Sequence, residues 1–358
     1  MEDIQYFPIN LSQLTPNGSH PFDIYLQIEG RFILFRPAEE LLSSGKFLQL
    51  MEKNQMRLWV PKNQRLIWNE YLAKKILSSN TSTEEKAIAI KETAWANITD
   101  LYNKEDIGET LQESHTLIST MIEYISSEPK GISNLLLLSA HDSYTYNHSL
   151  DVAVYCIAIA QRLFKGEDEM IFNAGLGGLL HDIGKRKVSQ SIINKPGPLT
   201  DDEWTIMKKH PGYGKFCLED AISSNKENPD AQSLQKENQK SGRIVVPTPL
   251  QTLPESVLAV VYQHHESCDG SGYPENLSKD EIDPLAKIAA LADVFDALTT
   301  NRSYSKAMSF QEAMDLMVEK ISHRFDPEMF KLFSRSFAGK DISNDDDKKS
   351  DLLIKKAG

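Results

Sequence analysis

The chain has 358 residues, 40% hydrophobic, 25% charged and 8% aromatic, with a mean hydropathy of −0.40; this is enough for two domains of roughly 150 residues and too apolar for wholesale disorder. Its 39 Lys and Arg against 51 Asp and Glu leave a net charge of −12, which excludes general binding to nucleic-acid polymers, so any anionic ligand must meet a local positive site. The apolar run Val152 to Ala160 is too short to span a bilayer, Met1-Glu2-Asp3 does not open an export signal, and Cys156, Cys217 and Cys268 form no C-x-x-C; a cytoplasmic, membrane-free chain without disulfides or a thiolate zinc site is expected.

In chain order, Tyr25 to Ile28 and Arg31 to Phe35 flank Glu29-Gly30 and predict a β-hairpin. A helix over about 38–54, a strand over about 56–60 and a helix over about 65–78 follow, giving a small α/β N-terminal domain over 1–80. Ser82 with Glu85 reads as a capping box, opening helical stretches at about 83–103 and 107–127, with 81–114 as a helical linker. Between 223 and 243 only Ala231 and Leu234 are hydrophobic side chains, which predicts a mobile insertion. Residues 339–358, with Asp345-Asp346-Asp347-Lys348-Lys349, predict a disordered polar tail.

Five of the nine histidines stand where a metal site could use them: His148, His181, His210, His264 and His265. Singly, each also fits a satisfied core histidine. The dipeptide His-Asp occurs at His141-Asp142 and at His181-Asp182, and context separates the two. The second follows the small, apolar run Ala174 to Leu180, which suits a closely packed helix, and precedes Ile183-Gly184-Lys185. A charged pair ending a buried helix needs a partner, and a metal ion would supply it. His264-His265-Glu266 similarly ends an apolar stretch and leads into the Gly-rich Asp269 to Pro274; the alternative is an exposed His pair before a turn. Asp293 lies inside Ile288 to Phe295, a carboxylate among apolar neighbours that calls for a cation or several donors.

With these segments in order, the chain from about 115 to 338 resembles the HD-GYP domains of the HD metal-dependent phosphohydrolase superfamily. The resemblance rests on Asn147-His148-Ser149, His181-Asp182-Ile183-Gly184-Lys185, His210-Pro211 with Gly214, and the run from His264 to Pro274. It continues through Ala292-Asp293-Val294-Phe295-Asp296-Ala297-Leu298 to Arg302 and Tyr304, and closes on Phe325-Asp326-Pro327. It implies a mainly α fold, a helical HD-type bundle carrying a binuclear metal site. His148, His181, Asp182 and Asp293 would hold one metal and His210, His264 and His265 the second, with Asp182 bridging. Imidazole and carboxylate without thiolate suit iron, manganese or zinc, and the resemblance puts iron first. Lys185, three residues after Asp182, would face the same side and hold the scissile phosphate. Arg302, Tyr304 and Lys306 would stand near the substrate, and Tyr273 in the loop edging the site.

The implied activity is hydrolysis of cyclic di-GMP to the linear dinucleotide pGpG or to GMP, with a protein partner at the Gly-Tyr-Pro loop or N-terminal domain. The alternatives are a phosphohydrolase acting on another nucleotide and a metal-bearing signalling module with little turnover. Three departures bear on the choice. Tyr144 stands where some members carry a third-metal Glu, which favours two metals. Ser305 replaces a basic residue, with Lys306 one step later, and the 223–243 insertion falls between His210 and His264.

Overall fold

A computed structural model of the chain describes residues 5–53, 55, 57–78, 81–137, 144–226, 252–300 and 306–337. Two compact units emerge, residues 1–92 and 93–358.

The first unit is built on strands β1 (Tyr6–Asn10), β2 (Gly18–Ser19), β3 (Ile24–Ile28), β4 (Arg31–Arg36), β5 (Leu41–Leu42) and β6 (Arg57–Pro61), with helices α1 (Ser44–Glu52) and α2 (Arg65–Leu77). An antiparallel sheet runs β1-β6-β3-β4, and β2 pairs with β5. The hairpin forms where expected: Ile28 pairs with Arg31, and Glu29 and Gly30 both take positive φ, 50° and 78°, as a tight turn matching strand twist requires. The expected helix over 38–54 begins only at Ser44. Glu39 turns at φ 63°, β5 takes the next residues, and the Ser43 side chain caps α1 by accepting from Lys46 N–H. Phe7, Phe22, Ile24, Leu58, Val60, Trp68 and Leu72 fill the core, with Phe22 edge-on to Trp68 and Tyr71.

His20 is sealed into this core, 1% exposed, with Nε2 accepting from Thr15 N–H at 3.2 Å and Nδ1 unsatisfied. Burial, then the charges of Lys75 and Arg36, push its pKa down to about 4. Between that value and the unfolded 6.5 the unfolded chain binds the extra proton, so stability is full above about pH 6.5 and falls as pH drops toward 4. Guanidinium unfolding of wild type and His20→Gln over this range tests it: the wild-type midpoint should fall more steeply with acid, and parallel profiles would count against it.

Helix α3 (Thr83–Asn103) carries the boundary between the units, at Glu92/Thr93. Its start is closed by the expected box: Glu85 N–H donates to Ser82 Oγ at 3.2 Å and Ser82 N–H to Glu85 Oε2 at 3.0 Å. The second unit continues with α4 (Gly108–Ser127), α5 (Gly131–Leu137), α6 (Tyr144–Leu163) and α7 (Asp168–Leu180), then a 3-10 turn (Ile183–Lys187). Helices α8 (Gln190–Ile193), α9 (Asp201–Met207), α10 (His210–Lys226), α11 (Glu255–Gln263), α12 (Pro284–Thr299), α13 (Phe310–Leu316) and α14 (Pro327–Phe337) complete it. It is an all-helical bundle in which α7 packs against α6, α11 and α12. The glycines of α7 permit this: a Cβ on Gly175 would meet Ile157 of α6 at 2.7 Å, one on Gly177 would meet Val260 of α11 at 2.8 Å, and one on Gly178 would meet the Ala153 backbone at 3.0 Å. None of the described helices is long and apolar enough to cross a membrane. Of the expected insertion, 223–226 close α10 and 227–243 lie outside the described residues, as do His141-Asp142 and the expected tail.

Candidate metal centre

Close packing of α6, α7, α10, α11 and α12 brings helix ends and helix middles to one buried point. His148 comes from the second turn of α6, and His181 and Asp182 end α7. His210 opens α10, His264 and His265 follow α11, and Asp293 sits midway along α12. Asp182 stands between two sets of imidazoles. Its Oδ2 lies 3.3 Å from His181 Nε2 and 3.6 Å from His148 Nε2, and its Oδ1 lies 3.3 Å from His210 Nε2 and 3.8 Å from His264 Nε2. Asp293 joins the sets at the other end, Oδ1 3.2 Å from His148 Nε2 and Oδ2 3.8 Å from His265 Nδ1. The donor atoms fall into two compact groups, Asp182 with His210, His264 and His265, and His148 with His181 and Asp293.

The imidazoles are aimed from behind. His181 Nδ1 donates to the Gly178 carbonyl at 2.7 Å, His210 Nδ1 to the Met207 carbonyl at 2.8 Å, and His264 Nδ1 to the Val261 carbonyl at 3.0 Å. A carbonyl only accepts, so these Nδ1 atoms carry the proton and each neutral ring turns an Nε2 lone pair inward. His210 Nε2 and His264 Nε2 then face each other at 3.1 Å, and Asp182 Oδ1 is buried with no hydrogen-bond donor. Converging, buried acceptors with nothing to accept from fit a cation, and this all-N/O donor set fits first-row divalent metals.

The titration behaviour agrees. Burial raises Asp182 and Asp293, but Lys185 then His181 hold the first, and His148 the second, well below the usual carboxylate range. Burial, then the neighbouring imidazoles His265, His181 and His210, holds His264 far below the imidazole range, and burial with His210 pushes His265 down to about 3. Burial also pulls His148 down, yet hydrogen bonds and charge from Asp293 and Asp296 outweigh it and lift His148 to about 10. The anionic carboxylates and the neutral rings of His264 and His265 are in the states that ligate metals, whereas His148, protonated between its two carboxylates, would release its Nε2 proton to a bound cation.

Asp296, which the sequence reading gave no role, orients His148: its Oδ2 lies 2.6 Å from His148 Nδ1. Its position three residues after Asp293 on one helix face was the available signal. Tyr102 was also missed; its hydroxyl donates to the Asp182 carbonyl at 2.9 Å.

Lys185 lies in the 3-10 turn, its Nζ 2.5 Å from Asp182 Oδ2 and partly exposed. Tyr273 stacks on His265, ring centroids 4.7 Å apart and planes at 28°. Buried Glu266 holds the loop, accepting from Glu275 N–H at 2.7 Å and Leu277 N–H at 3.0 Å. Lys306 is exposed, between the described end of α12 and α13, whereas Arg302, Tyr304 and Ser305 lie outside the described residues. Tyr144 is the first residue of α6.

His264→Ala and His265→Ala are each expected to lower metal content from two equivalents toward one, because both donors belong with Asp182 and His210 to one compact group. Elemental analysis of purified protein checks this; two metals retained in both variants would remove the pair from the ligand set.

With this geometry in view, the HD-domain family pattern matches residues 224–329, a segment containing His264, His265 and Asp293. A cyclic di-GMP phosphodiesterase of Pseudomonas aeruginosa is 34% identical over 247 residues, 68% of this chain and 52% of that protein. A 3'3'-cGAMP-specific phosphodiesterase of Vibrio cholerae is 34% identical over 194 residues, 54% of this chain and 35% of that one. The chain spans about half or less of these relatives' length. A solved HDG"Y"P protein from Bdellovibrio bacteriovorus shares the fold, with TM-score 0.61 at 20% identity, covering 94% of this chain and all of the other. The chain carries an HD domain, the hallmark of a metal-dependent hydrolase superfamily. Within that superfamily it is similar to the HD-GYP proteins.

Proposed function

We propose that the chain is a phosphodiesterase that uses two metal ions, iron before manganese or zinc, to hydrolyse cyclic di-GMP to pGpG and onward to GMP. One observation carries the reading: the two oxygens of a single buried carboxylate, Asp182, face two separate histidine sets. His148, His181 and Asp293 would hold one ion and His210, His264 and His265 the other, Asp182 serving both. Bound there, such a pair supplies an activated water and neutralises charge on the phosphate oxygens. Asp296 and the Gly178, Met207 and Val261 carbonyls keep the imidazoles turned inward.

Lys185, whose ammonium lies beside Asp182, is partly exposed. Its ammonium stabilises the negative charge that builds on the phosphate as water adds to phosphorus and the P–O3′ bond breaks, the leaving oxygen taking up a proton. Arg302, Lys306 and Tyr304 would take the second phosphate and sugar, and Tyr273 closes the edge beside His265. Unpaired Cys156, Cys217 and Cys268 suit a reducing cytoplasm, and the Gly-Tyr-Pro loop or the N-terminal unit offers a surface for a protein partner. The relatives named for 3'3'-cGAMP give a second reading, in which one base of the substrate is adenine.

The test is Lys185→Ala with cyclic di-GMP. Metal content should be unchanged while kcat falls by about 100- to 1,000-fold, the usual effect of removing one positioned charge-stabilising donor. Equal turnover would discard the role of Lys185. A metal-loaded wild type that binds the nucleotide without cleaving it would make the chain a signalling module.

A further inference from the structure

Beside the metal centre the chain builds a second feature that the catalytic reading does not use. Tyr273, stacked on His265, meets the indole of Trp204 edge-to-face, centroids 6.4 Å apart and planes at 74°. Trp204 belongs to α9, whose start is fixed by a capping box: Glu203 N–H donates to Thr200 Oγ1 at 3.3 Å and Thr200 N–H to Glu203 Oε2 at 2.7 Å. Glu203 is held in turn by Lys195, 2.5 Å away. A short helix thus anchored presents a large aromatic side chain that remains 44% exposed. One turn on, the Lys208 ammonium lies 5.9 Å from the Trp204 ring centroid and 5.6 Å from that of Tyr273. The indole is thus held in place by Tyr273 and Lys208 while much of its surface stays open to solvent beside the metal cluster.

We propose that Trp204 and Lys208 form a guanine-selective base subsite, with the nucleobase stacked on the indole and the Lys208 ammonium donating to guanine O6 and N7. This rests on the reading of the metal centre as a site for cyclic dinucleotides. A substrate held by its phosphate at the metals and Lys185 must direct a base outward, and the stack His265, Tyr273, Trp204 leads outward from the metal ligands. Stacking on Trp204 is indifferent to base identity, since every base has a π-face. Lys208 is not indifferent. Guanine offers O6 and N7 as two acceptors, whereas adenine sets an amino donor beside N7, so an ammonium placed here favours guanine. The subsite would therefore decide between cyclic di-GMP and nucleotides containing adenine, the distinction that separates the names of the relatives.

Binding of cyclic di-GMP, 3'3'-cGAMP and cyclic di-AMP to the purified full chain, by calorimetry, tests the proposal on wild type, Trp204→Ala, Trp204→Phe and Lys208→Met. Trp204→Ala should weaken all three nucleotides by about 10- to 100-fold, and Trp204→Phe should restore most of the loss. Lys208→Met should weaken cyclic di-GMP by about 10-fold or more and cyclic di-AMP little, narrowing the preference for guanine. Unchanged affinity in Trp204→Ala, or an equal loss for all three nucleotides in Lys208→Met, would overturn it, the second outcome marking a phosphate contact. The two readings fail separately. Binding with this mutant pattern but without wild-type turnover sinks the phosphodiesterase and keeps the subsite; turnover with Trp204→Ala affinity intact does the reverse. Failure of wild type to bind any of the three sinks both.

Discussion

Asp182→Asn is expected to strip the chain of bound metal and to lower cyclic di-GMP hydrolysis by about 1,000-fold or more, at least the loss seen when one positioned charged group is removed. The substitution keeps shape and removes the anion. In the native protein both carboxylate oxygens face imidazole Nε2 atoms, and Oδ1 is buried with no donor. The amide would bring an NH2 group among those lone pairs and satisfy them by hydrogen bonding. The variant should therefore fold at least as stably as the metal-free wild type while losing its cations. Elemental analysis beside circular dichroism separates the two effects, and a folded variant retaining two metals would show that Asp182 does not hold them.

The largest effect on folding is expected from Gly184→Ala. A Cβ there would sit 1.9 Å from the His210 carbonyl oxygen and 2.4 Å from Gly214 N, both backbone atoms at the start of α10. Neither neighbour is a flexible side chain that can swing aside, so α10 must move and carry His210 away from Asp182. A loss of about 3 kcal/mol or more follows from overpacking of this kind, with metal binding lost as well. Gly45→Ala provides the contrast. Gly45 lies in α1 with nothing within 4 Å of its Cβ position, so Ala should stabilise by up to about 1 kcal/mol. Denaturant unfolding measures both, and a Gly184→Ala protein of wild-type stability would contradict the described approach of the 3-10 turn to α10.

What could be read from the sequence was what is encoded locally. The hairpin was legible because Glu29-Gly30 is a turn in itself, and the α3 start because Ser82 and Glu85 satisfy one another across three residues. Strand β1 was not, because Tyr6 pairs with Pro61 across more than fifty residues and Pro8 interrupts its pattern. Nor was β5, where an apparent helix yields to the turn at Glu39 and pairing with Gly18–Ser19. In the centre, His148, His181, Asp182, His210, His264, His265 and Asp293 were legible as motif residues, and the structure brings all seven together. The place of Asp182 between two imidazole sets was reached only through the family resemblance, whereas the Tyr102 bond to its carbonyl and the approach of Trp204 to Tyr273 join residues far apart in sequence. No local pattern encodes such contacts.

Under the proposed function, the single buried carboxylate of Asp182 would help hold two metal ions, both of them needed for cleavage of the cyclic dinucleotide. Anaerobic titration of metal-free protein with iron(II) or manganese(II), following cyclic di-GMP and pGpG by chromatography, tests it most directly. Product formation should be absent without metal, small at one equivalent and maximal at two equivalents per chain. Full turnover in metal-free protein, saturation at a single equivalent, or no pGpG at any loading would contradict it.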